Sequence, residues 1–183
     1  MRVISGTARG ISLISPTGLA TRPTGDRMKE DLFNILAPLV SGADFLDLYC
    51  GSGAIGIEAL SRGAKSAVFV DESKEAIATT KSNLTKARLD DAAEVLHMPV
   101  LRALEMLRSQ KKFDIIFLDP PYGSDELKES LTFIDQYGLL VKGGIVVAEA
   151  GVDAQMPELN SLSMYRQKKY AQMKFSFYEV DDQ

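Results

Sequence analysis

The sequence predicts an α/β fold in which a doubly wound, mostly parallel sheet is covered by helices on both faces. Strands and helices alternate along the chain, and the strands read as continuous apolar runs. Four such runs and a weaker fifth are the strand candidates, at 44–49, 66–71, 114–119, 144–150 and 93–98. A glycine-rich turn follows the first run, where sheets of this kind bind ligands beyond the carboxyl ends of their strands.

The helices between these strands are predicted from apolar residues spaced three and four apart and from signals at the helix ends. One helix ends at Gly63, the next begins after Ser73, and the last begins at Ser124 and ends at Gly138. The predicted helices therefore cover 54–62, 74–87, 100–109 and 124–137.

The two ends of the chain depart from this alternation. The stretches "RVISG" and "GISLIS" flank "TAR" and predict an N-terminal β-hairpin, followed by a helix from Thr24 to about Leu39. Near the other end, Met173, Phe175 and Phe177 alternate with polar residues. The tail therefore predicts an antiparallel hairpin that closes the sheet with one antiparallel edge strand.

Length and composition bound the class of protein. The 183 residues suit a single domain, and 45% hydrophobic content fits a globular protein. The single Cys50 cannot form an internal disulfide, and no charged segment followed by an apolar one opens the chain, so the cytoplasm is expected. No apolar run reaches the roughly 20 residues of a bilayer span, and no membrane association is expected.

Basic residues are concentrated at the two ends of the chain. The net charge is −4, yet residues 1–30 carry five basic side chains against two acidic ones, and residues 161–183 carry four against three. Phosphate contacts need lysine and arginine whatever the net charge is, so this asymmetry favours an edge that faces a polyanion. An ordinary solvated surface is the alternative.

The stretch "DLYCGSGAIG" places Gly51, Gly53 and Gly56 at a strand-to-helix turn. Glycines at such a turn let the backbone approach a ligand closely, and the helix that follows presents free N–H groups. Asp71 ends the second strand, where a carboxylate can accept both hydroxyls of an adenosine ribose. This pattern suits either a nicotinamide dinucleotide or S-adenosylmethionine.

Two further features favour S-adenosylmethionine. Asp47 stands four residues before the first glycine, a place where methyltransferases usually have an acid near the amino acid portion of the cofactor. The run "DIIFLDPPYG" ends a strand that chain order places beside the glycine-loop strand. There the Asp119 carboxylate and the Pro120 carbonyl can accept both N–H groups of a planar nucleobase amine, and the ring of Tyr122 can stack on the base.

As a set, "RPTGDRMKEDLFNIL", "DLYCGSGAIGIEALSRGA", "FVD" and "DPPYG" resemble the RsmD-type bacterial 16S rRNA (guanine-N2-)-methyltransferases over nearly the whole chain. The resemblance implies the class I methyltransferase fold and methyl transfer from S-adenosylmethionine to the N2 amine of a guanine. It also implies one methyltransferase domain over 1–183, with an RNA-facing extension at 1–40 and the catalytic sheet at 41–183. The expected partner is 16S rRNA within the small subunit or its assembly intermediate, and a monomer without a metal ion is expected.

The resemblance also implies roles for individual residues. The cofactor is expected at Asp47, Gly51, Ser52, Gly53, Asp71, Glu72 and Met98, and the catalytic group at Asp119, Pro120 and Tyr122. The substrate is expected at Pro121, Arg22, Thr24 and Arg27, because arginines at a loop and helix start suit phosphates. Pro99 stands where class I enzymes often have a polar residue near the adenine, so the adenine contact stays open.

Three alternatives remain at this point. The amine-binding motif also occurs in adenine-N6, cytosine-N4 and glutamine-N5 methyltransferases, because it recognises an amine and not its ring. A nicotinamide-dependent oxidoreductase would explain the glycines and Asp71 but would leave Asp47 and "DPPY" without a role. A non-catalytic RNA-binding factor would use the basic ends alone.

Overall fold

The structure is a computed structural model that describes residues 1–15 and 25–181. Within these residues, one seven-stranded sheet is the centre of the molecule. Its strands are β1 (Asp44–Leu48), β2 (Ser66–Asp71), β3 (Ala93–His97), β4 (Phe113–Leu118), β5 (Leu140–Gly151), β6 (Leu162–Lys169) and β7 (Met173–Val180). The helices are α1 (Asp26–Val40), α2 (Ala54–Ser61), α3 (Lys74–Ala87), α4 (Val100–Leu107) and α5 (Glu126–Tyr137).

The strands lie in the order β3-β2-β1-β4-β5-β7-β6. Strands β1 to β5 pair in parallel, and β1 lies between β2 and β4 as predicted. Chain order reverses at β1, so the ends of β1 and β4 form the switch point where sheets of this kind bind ligands. The glycine turn and the "DPPYG" stretch are therefore neighbours.

Apolar side chains on both faces of the sheet form two cores. Phe45, Phe69 and Phe117 belong to the core under α1, α2 and α3. The core under α4 and α5 contains the strand residues that alternate with this first set, such as Leu46 and Leu48. Strands buried on both faces need apolar residues at every position, which is why they appeared in the sequence as unbroken apolar runs.

The C-terminal hairpin differs from prediction in its order. The predicted antiparallel edge strand, β7, lies one place in from the edge, between β5 and β6. The reason is burial: β7 is buried from Met173 to Tyr178, whereas most of β6 is exposed. The apolar strand takes the inner position, and the polar strand becomes the edge.

The N-terminal segment forms a short antiparallel pairing around a single β-bridge. The bridge joins Arg2 to Ser12, flanked by hydrogen bonds such as that from the Val3 N–H to the Ile11 carbonyl at 2.9 Å. The antiparallel pairing was predicted, but a regular two-stranded hairpin was not formed. The segment is held instead by side chains of helices, including Asn83, which exchanges two hydrogen bonds with the backbone of Ile14.

A buried ion pair between α1 and α2 helps to hold the same segment. Lys29 of α1 and Glu58 of α2 are both fully buried, with 3.3 Å between Nζ and Oε2. Glu58 also accepts hydrogen bonds from the backbone N–H groups of Ile4 and Ser5 and pairs with Arg62 at 2.9 Å. Residues 1–15 are therefore packed against α1 and α2 as part of the folded unit.

Candidate active site

The glycine turn between β1 and α2 has the backbone shape that glycine alone adopts easily. Gly51 and Gly53 have φ of 56° and 77°, in the left-handed region. A Cβ at Gly53 would lie 2.9 Å from Thr80 of α3, whereas a Cβ at Gly51 would meet open space. Thr80 donates a hydrogen bond to the Gly51 carbonyl and Asn83 to the Ser52 carbonyl, both at 2.9 Å. Helix α3 thus braces the turn and leaves its outer side open at Gly51.

Asp71 lies directly against this turn. Its two carboxylate oxygens accept hydrogen bonds from the N–H groups of Gly51 at 3.0 Å and Ser73 at 2.9 Å. A carboxylate has about four acceptor positions, so two remain for the hydroxyls of a ribose. Glu72 follows and is exposed, and the Met98 N–H donates to the Asp71 carbonyl at 3.1 Å. The predicted cofactor residues at the ends of β2 and β3 are therefore adjacent.

Asp47 is a buried acid beneath the turn. Only 1% of it is exposed, and its Oδ2 accepts a hydrogen bond from the Gly56 N–H of α2 at 2.9 Å. Burial, with a smaller contribution from the charge of Asp71, raises the pKa of Asp47 to about 8, although the Gly56 hydrogen bond opposes this. Asp47 therefore joins β1 to the start of α2 and holds the glycine turn in place.

The "DPPYG" stretch forms a rigid turn after β4. Leu48 and Leu118 are partners in the β1–β4 register, and the Asp119 N–H donates to the Leu48 carbonyl at 3.4 Å. Pro120 is buried, and Ser124 closes the turn by donating to the Pro121 carbonyl at 2.7 Å. Because Ser124 is used in this way, α5 begins at Glu126, two residues later than predicted. Asp119 thus lies beside the strand that leads into the glycine turn.

A third acid joins the site, and the sequence interpretation missed it. Glu149 of β5 is 5% exposed, and the Tyr122 hydroxyl donates to its Oε1 at 3.4 Å. Burial, the charge of Glu149 and then that of Asp47 raise the pKa of Asp119 well above its ordinary range. The only sequence signal was one acid near the end of the apolar run "IVVAEA". Tyr122 itself is 57% exposed.

Three residues near the N-terminal end were predicted to contact the RNA, and the structure describes one of them. Arg22 and Thr24 lie outside the described residues. Arg27 is exposed in the first turn of α1, close enough to Asp31 and Tyr170 to affect the pKa of each. Lys168 of β6 pairs with Asp31 at 3.0 Å. Basic residues from the two ends of the chain therefore lie near each other at α1 and the tail hairpin.

One of the basic residues at the N-terminal end is not available to a polyanion. Lys29 is fully buried and donates to the Arg2 carbonyl as well as pairing with Glu58. Its charge therefore stabilises the docked N-terminal segment, and counting it toward an RNA-facing edge was wrong. Arg2 and Arg9 are more open, with the Arg2 side chain 66% exposed.

The described residues contain no group of three or more His, Cys, Asp or Glu placed to hold a metal ion. Among the same residues, every helix is too short or too polar to cross a bilayer.

A parallel sheet with a glycine turn after β1, an acid at the end of β2 and an Asp-Pro-Pro-Tyr turn after β4 is the arrangement of class I methyltransferases, and this protein is one of them. Residues 1–179 match the family described as conserved hypothetical protein 95, and the chain belongs to that family, as its motifs predicted.

The chain is similar to curated relatives and to a solved structure over nearly its whole length. The chain is 45% identical to the putative rRNA methyltransferase YlbH of Bacillus subtilis, covering 93% of this chain and 94% of that one. It is 31% identical to the ribosomal RNA small subunit methyltransferase D of Escherichia coli K12, covering 100% and 91%. The solved structure of the putative methyltransferase yhhF from Escherichia coli is 32% identical, with a TM-score of 0.86, and covers 100% of this chain and 99% of that one.

Proposed function

We propose that this protein transfers a methyl group from S-adenosylmethionine to the exocyclic N2 amine of a guanine in 16S rRNA. One observation carries the proposal: the Asp119 to Tyr122 turn lies directly beside the glycine turn, joined through the Leu48 carbonyl and the β1–β4 register. Amine methylation requires hydrogen-bond acceptors for the amine and a binding site for the methyl donor at the same edge of the sheet. The full-length similarity to proteins named for small-subunit rRNA supports the choice of substrate.

The glycine turn and its neighbours fit S-adenosylmethionine. The open space outside Gly51 admits a ligand close to the backbone, and Asp71 keeps acceptor positions for a ribose. Ser52 and Gly53 belong to the same turn, with Glu72 and Met98 at the ends of the next two strands. Asp47 positions this turn through Gly56. When bound, the cofactor supplies an electrophilic methyl group on a cationic sulfur.

The residues after β4 hold the amine. A nucleobase amine is a poor nucleophile because its lone pair is delocalised into the ring. Hydrogen bonds from its two N–H groups to the Asp119 carboxylate and the Pro120 carbonyl favour a pyramidal nitrogen and direct the lone pair. Tyr122, with its exposed ring, stacks on a base taken out of its helix. Pro120 and Pro121 keep the turn stiff, so that this direction is maintained.

The RNA is held by the basic ends of the chain. Arg27 of α1 and Lys168 of β6 both lie near Asp31, and Arg22 and Thr24, which are outside the described residues, are proposed as further phosphate contacts on the sequence alone. The whole chain then acts as one catalytic domain, with residues 1–40 facing the RNA. A monomer acting on the small subunit or its assembly intermediate in the cytoplasm completes the proposal.

The test is to identify the methylated nucleoside. The protein is incubated with labelled S-adenosylmethionine and 30S subunits from cells that lack the enzyme, and the rRNA is digested and separated. The proposal predicts label in N2-methylguanosine of 16S rRNA. Label in N6-methyladenosine, or in protein glutamine, would overturn the substrate, and no labelled product would overturn the activity.

A further inference from the structure

Glu149 is a buried carboxylate for which the roles above give no use. It follows Val146, Val147 and Ala148 in β5 and is 5% exposed. A charged group is costly to bury, so buried acids are retained where something needs them. Its place near the carboxyl end of a strand next to β4 puts it at the ligand-binding edge of the sheet.

The register of the sheet places Glu149 beside Asp119. Leu118 and Ala148 are partners in the β4–β5 pairing, and both belong to the core under α4 and α5. The residues that follow them therefore point to the opposite face, on neighbouring strands about 4.8 Å apart. In the β5–β7 pairing, Glu149 is the partner of Phe175, which belongs to the core under α1, α2 and α3 on that opposite face.

The ring of Tyr122 lies over the same place. Its hydroxyl is 3.4 Å from the Glu149 carboxylate, and a Cβ at Gly151 would lie 3.8 Å from its Cδ2. Asp119 and Glu149 are therefore two neighbouring carboxylates close to the ring on which the function proposed above stacks the base.

Two neighbouring carboxylates match the donor pattern of guanine. Its Watson–Crick edge carries two adjacent donors, the N2 amine and the N1–H. Adenine, held by its own amine, would instead present the lone pair of N1, which a carboxylate repels. When one carboxylate accepts a hydrogen bond from the amine, the second carboxylate lies opposite N1.

Resting on the function proposed above, we propose that Glu149 selects guanine by accepting a hydrogen bond from its N1–H, while Asp119 holds the N2 amine. The site thereby requires a proton on N1 as well as an amine at position 2. The residue acts in choosing the base, in direct contact with it, and the amine geometry stays with Asp119 and Pro120.

The test uses a base that keeps the N2 amine but lacks the N1–H. Small subunits are reconstituted with rRNA carrying 2-aminopurine in place of the target guanine, and kcat/KM for methylation is compared with that for the guanine form. Wild-type enzyme is expected to prefer guanine by at least about 100-fold, the loss typical of a missing hydrogen bond to a buried charge. Equal rates on the two bases would overturn the inference with no variant needed.

The variant Glu149→Gln sharpens the test, because a glutamine amide can donate to N1 of 2-aminopurine and accept from N1–H of guanine. Its preference for guanine should fall to about tenfold or less. Tyr122→Phe is the matched control, because it removes the hydroxyl that donates a hydrogen bond to Glu149. This variant should keep the preference for guanine over 2-aminopurine even if its rate of methylation falls. Loss of preference in Tyr122→Phe, or an unchanged preference in Glu149→Gln, would contradict the direct role.

These outcomes are separable from failure of the proposed function. If wild-type enzyme does not methylate the guanine form at all, the function itself is wrong. If it methylates guanine and 2-aminopurine alike, only the role of Glu149 is wrong. Should Glu149→Gln not fold, as shown by thermal unfolding, Glu149→Asp keeps an acceptor and is expected to keep the preference at a lower rate, and its loss would count against the inference.

Discussion

Two clusters of buried charge in this protein are built in opposite ways. In the first, Lys29 and Glu58 are fully buried and paired, and Glu58 also binds Arg62 and backbone N–H groups of the N-terminal segment. In the second, Asp119 lies close enough to Glu149 and Asp47 that a negative charge on either of them opposes its ionisation. Paired charges of opposite sign stabilise the fold, whereas neighbouring acids oppose one another's ionisation and are common at functional sites.

The largest effect is expected at the acidic cluster, on activity. Asp119→Ala removes an acceptor for the amine and should lower kcat/KM for rRNA methylation by at least about 100-fold, as the loss of one positioned catalytic hydrogen bond does. It also removes one of three neighbouring acids, so the free energy of unfolding should stay the same or rise. Methylation assays and urea unfolding measure the two effects.

Asp91→Asn is the matched control for this variant, because Asp91 is an exposed acid in the turn before β3. It should leave both quantities unchanged. An Asp119→Ala enzyme with near wild-type kcat/KM would show that the acidic cluster is not the catalytic one.

The paired cluster should respond in stability. Glu58→Gln leaves Lys29 buried without its ion-pair partner, so we expect the free energy of unfolding to fall by about 3–5 kcal/mol, the usual cost of breaking a buried ion pair. The double variant Glu58→Gln, Lys29→Met removes both charges and should recover part of that loss. Urea unfolding of the wild type, Glu58→Gln, Lys29→Met and the double variant forms a double-mutant cycle, and additive losses would show that the pair is not coupled.

The smallest expected effect is the pH dependence of stability at Asp47. A carboxyl group whose pKa rises from 3.8 to about 8 on folding binds its proton more tightly in the folded state. Its contribution to stability is therefore full below its ordinary pKa and is lost as the pH rises toward 8. The loss has an upper limit of about 1.4 kcal/mol per pH unit in that window.

Asp47→Asn keeps an oxygen acceptor for the Gly56 N–H but cannot titrate. Unfolding free energies measured from about pH 5 to pH 7 should fall less steeply in this variant than in the wild type, by about 1 kcal/mol per pH unit. Parallel pH profiles would show that Asp47 is ionised in the folded protein and would weaken the contrast between the two clusters.

The sequence predicted local structure well wherever a short-range signal set it. Helix α3 was expected at 74–87 and occupies Lys74–Ala87, because the Ser73 side chain accepts a hydrogen bond from the Ala76 N–H at its start. The glycine turn and Asp71 were also predicted, since their spacing along the chain follows from one strand-turn-helix unit. Their hydrogen-bonded contact follows from the pairing of β1 with β2.

Long-range contacts left weaker signals. Lys29 and Glu58 sit in helical patterns where a charge is usually solvated, and only the packing of α1 against α2 makes them partners. Glu149 is a single acid in an apolar run, and its meaning depends on which strand lies beside β5. The inner position of β7 was missed because both orders of a terminal hairpin satisfy the same alternation.

The central claim is that the Asp119 to Tyr122 turn presents its acceptors to a cofactor held by the glycine turn. A crystal structure with S-adenosylhomocysteine tests it most directly. We expect the ribose hydroxyls at Asp71, the amino acid portion at Gly51 to Gly53, and the sulfur facing the Asp119 side of the pocket. Density for the ligand elsewhere, or a ligand whose sulfur faces away from Asp119, would contradict the account.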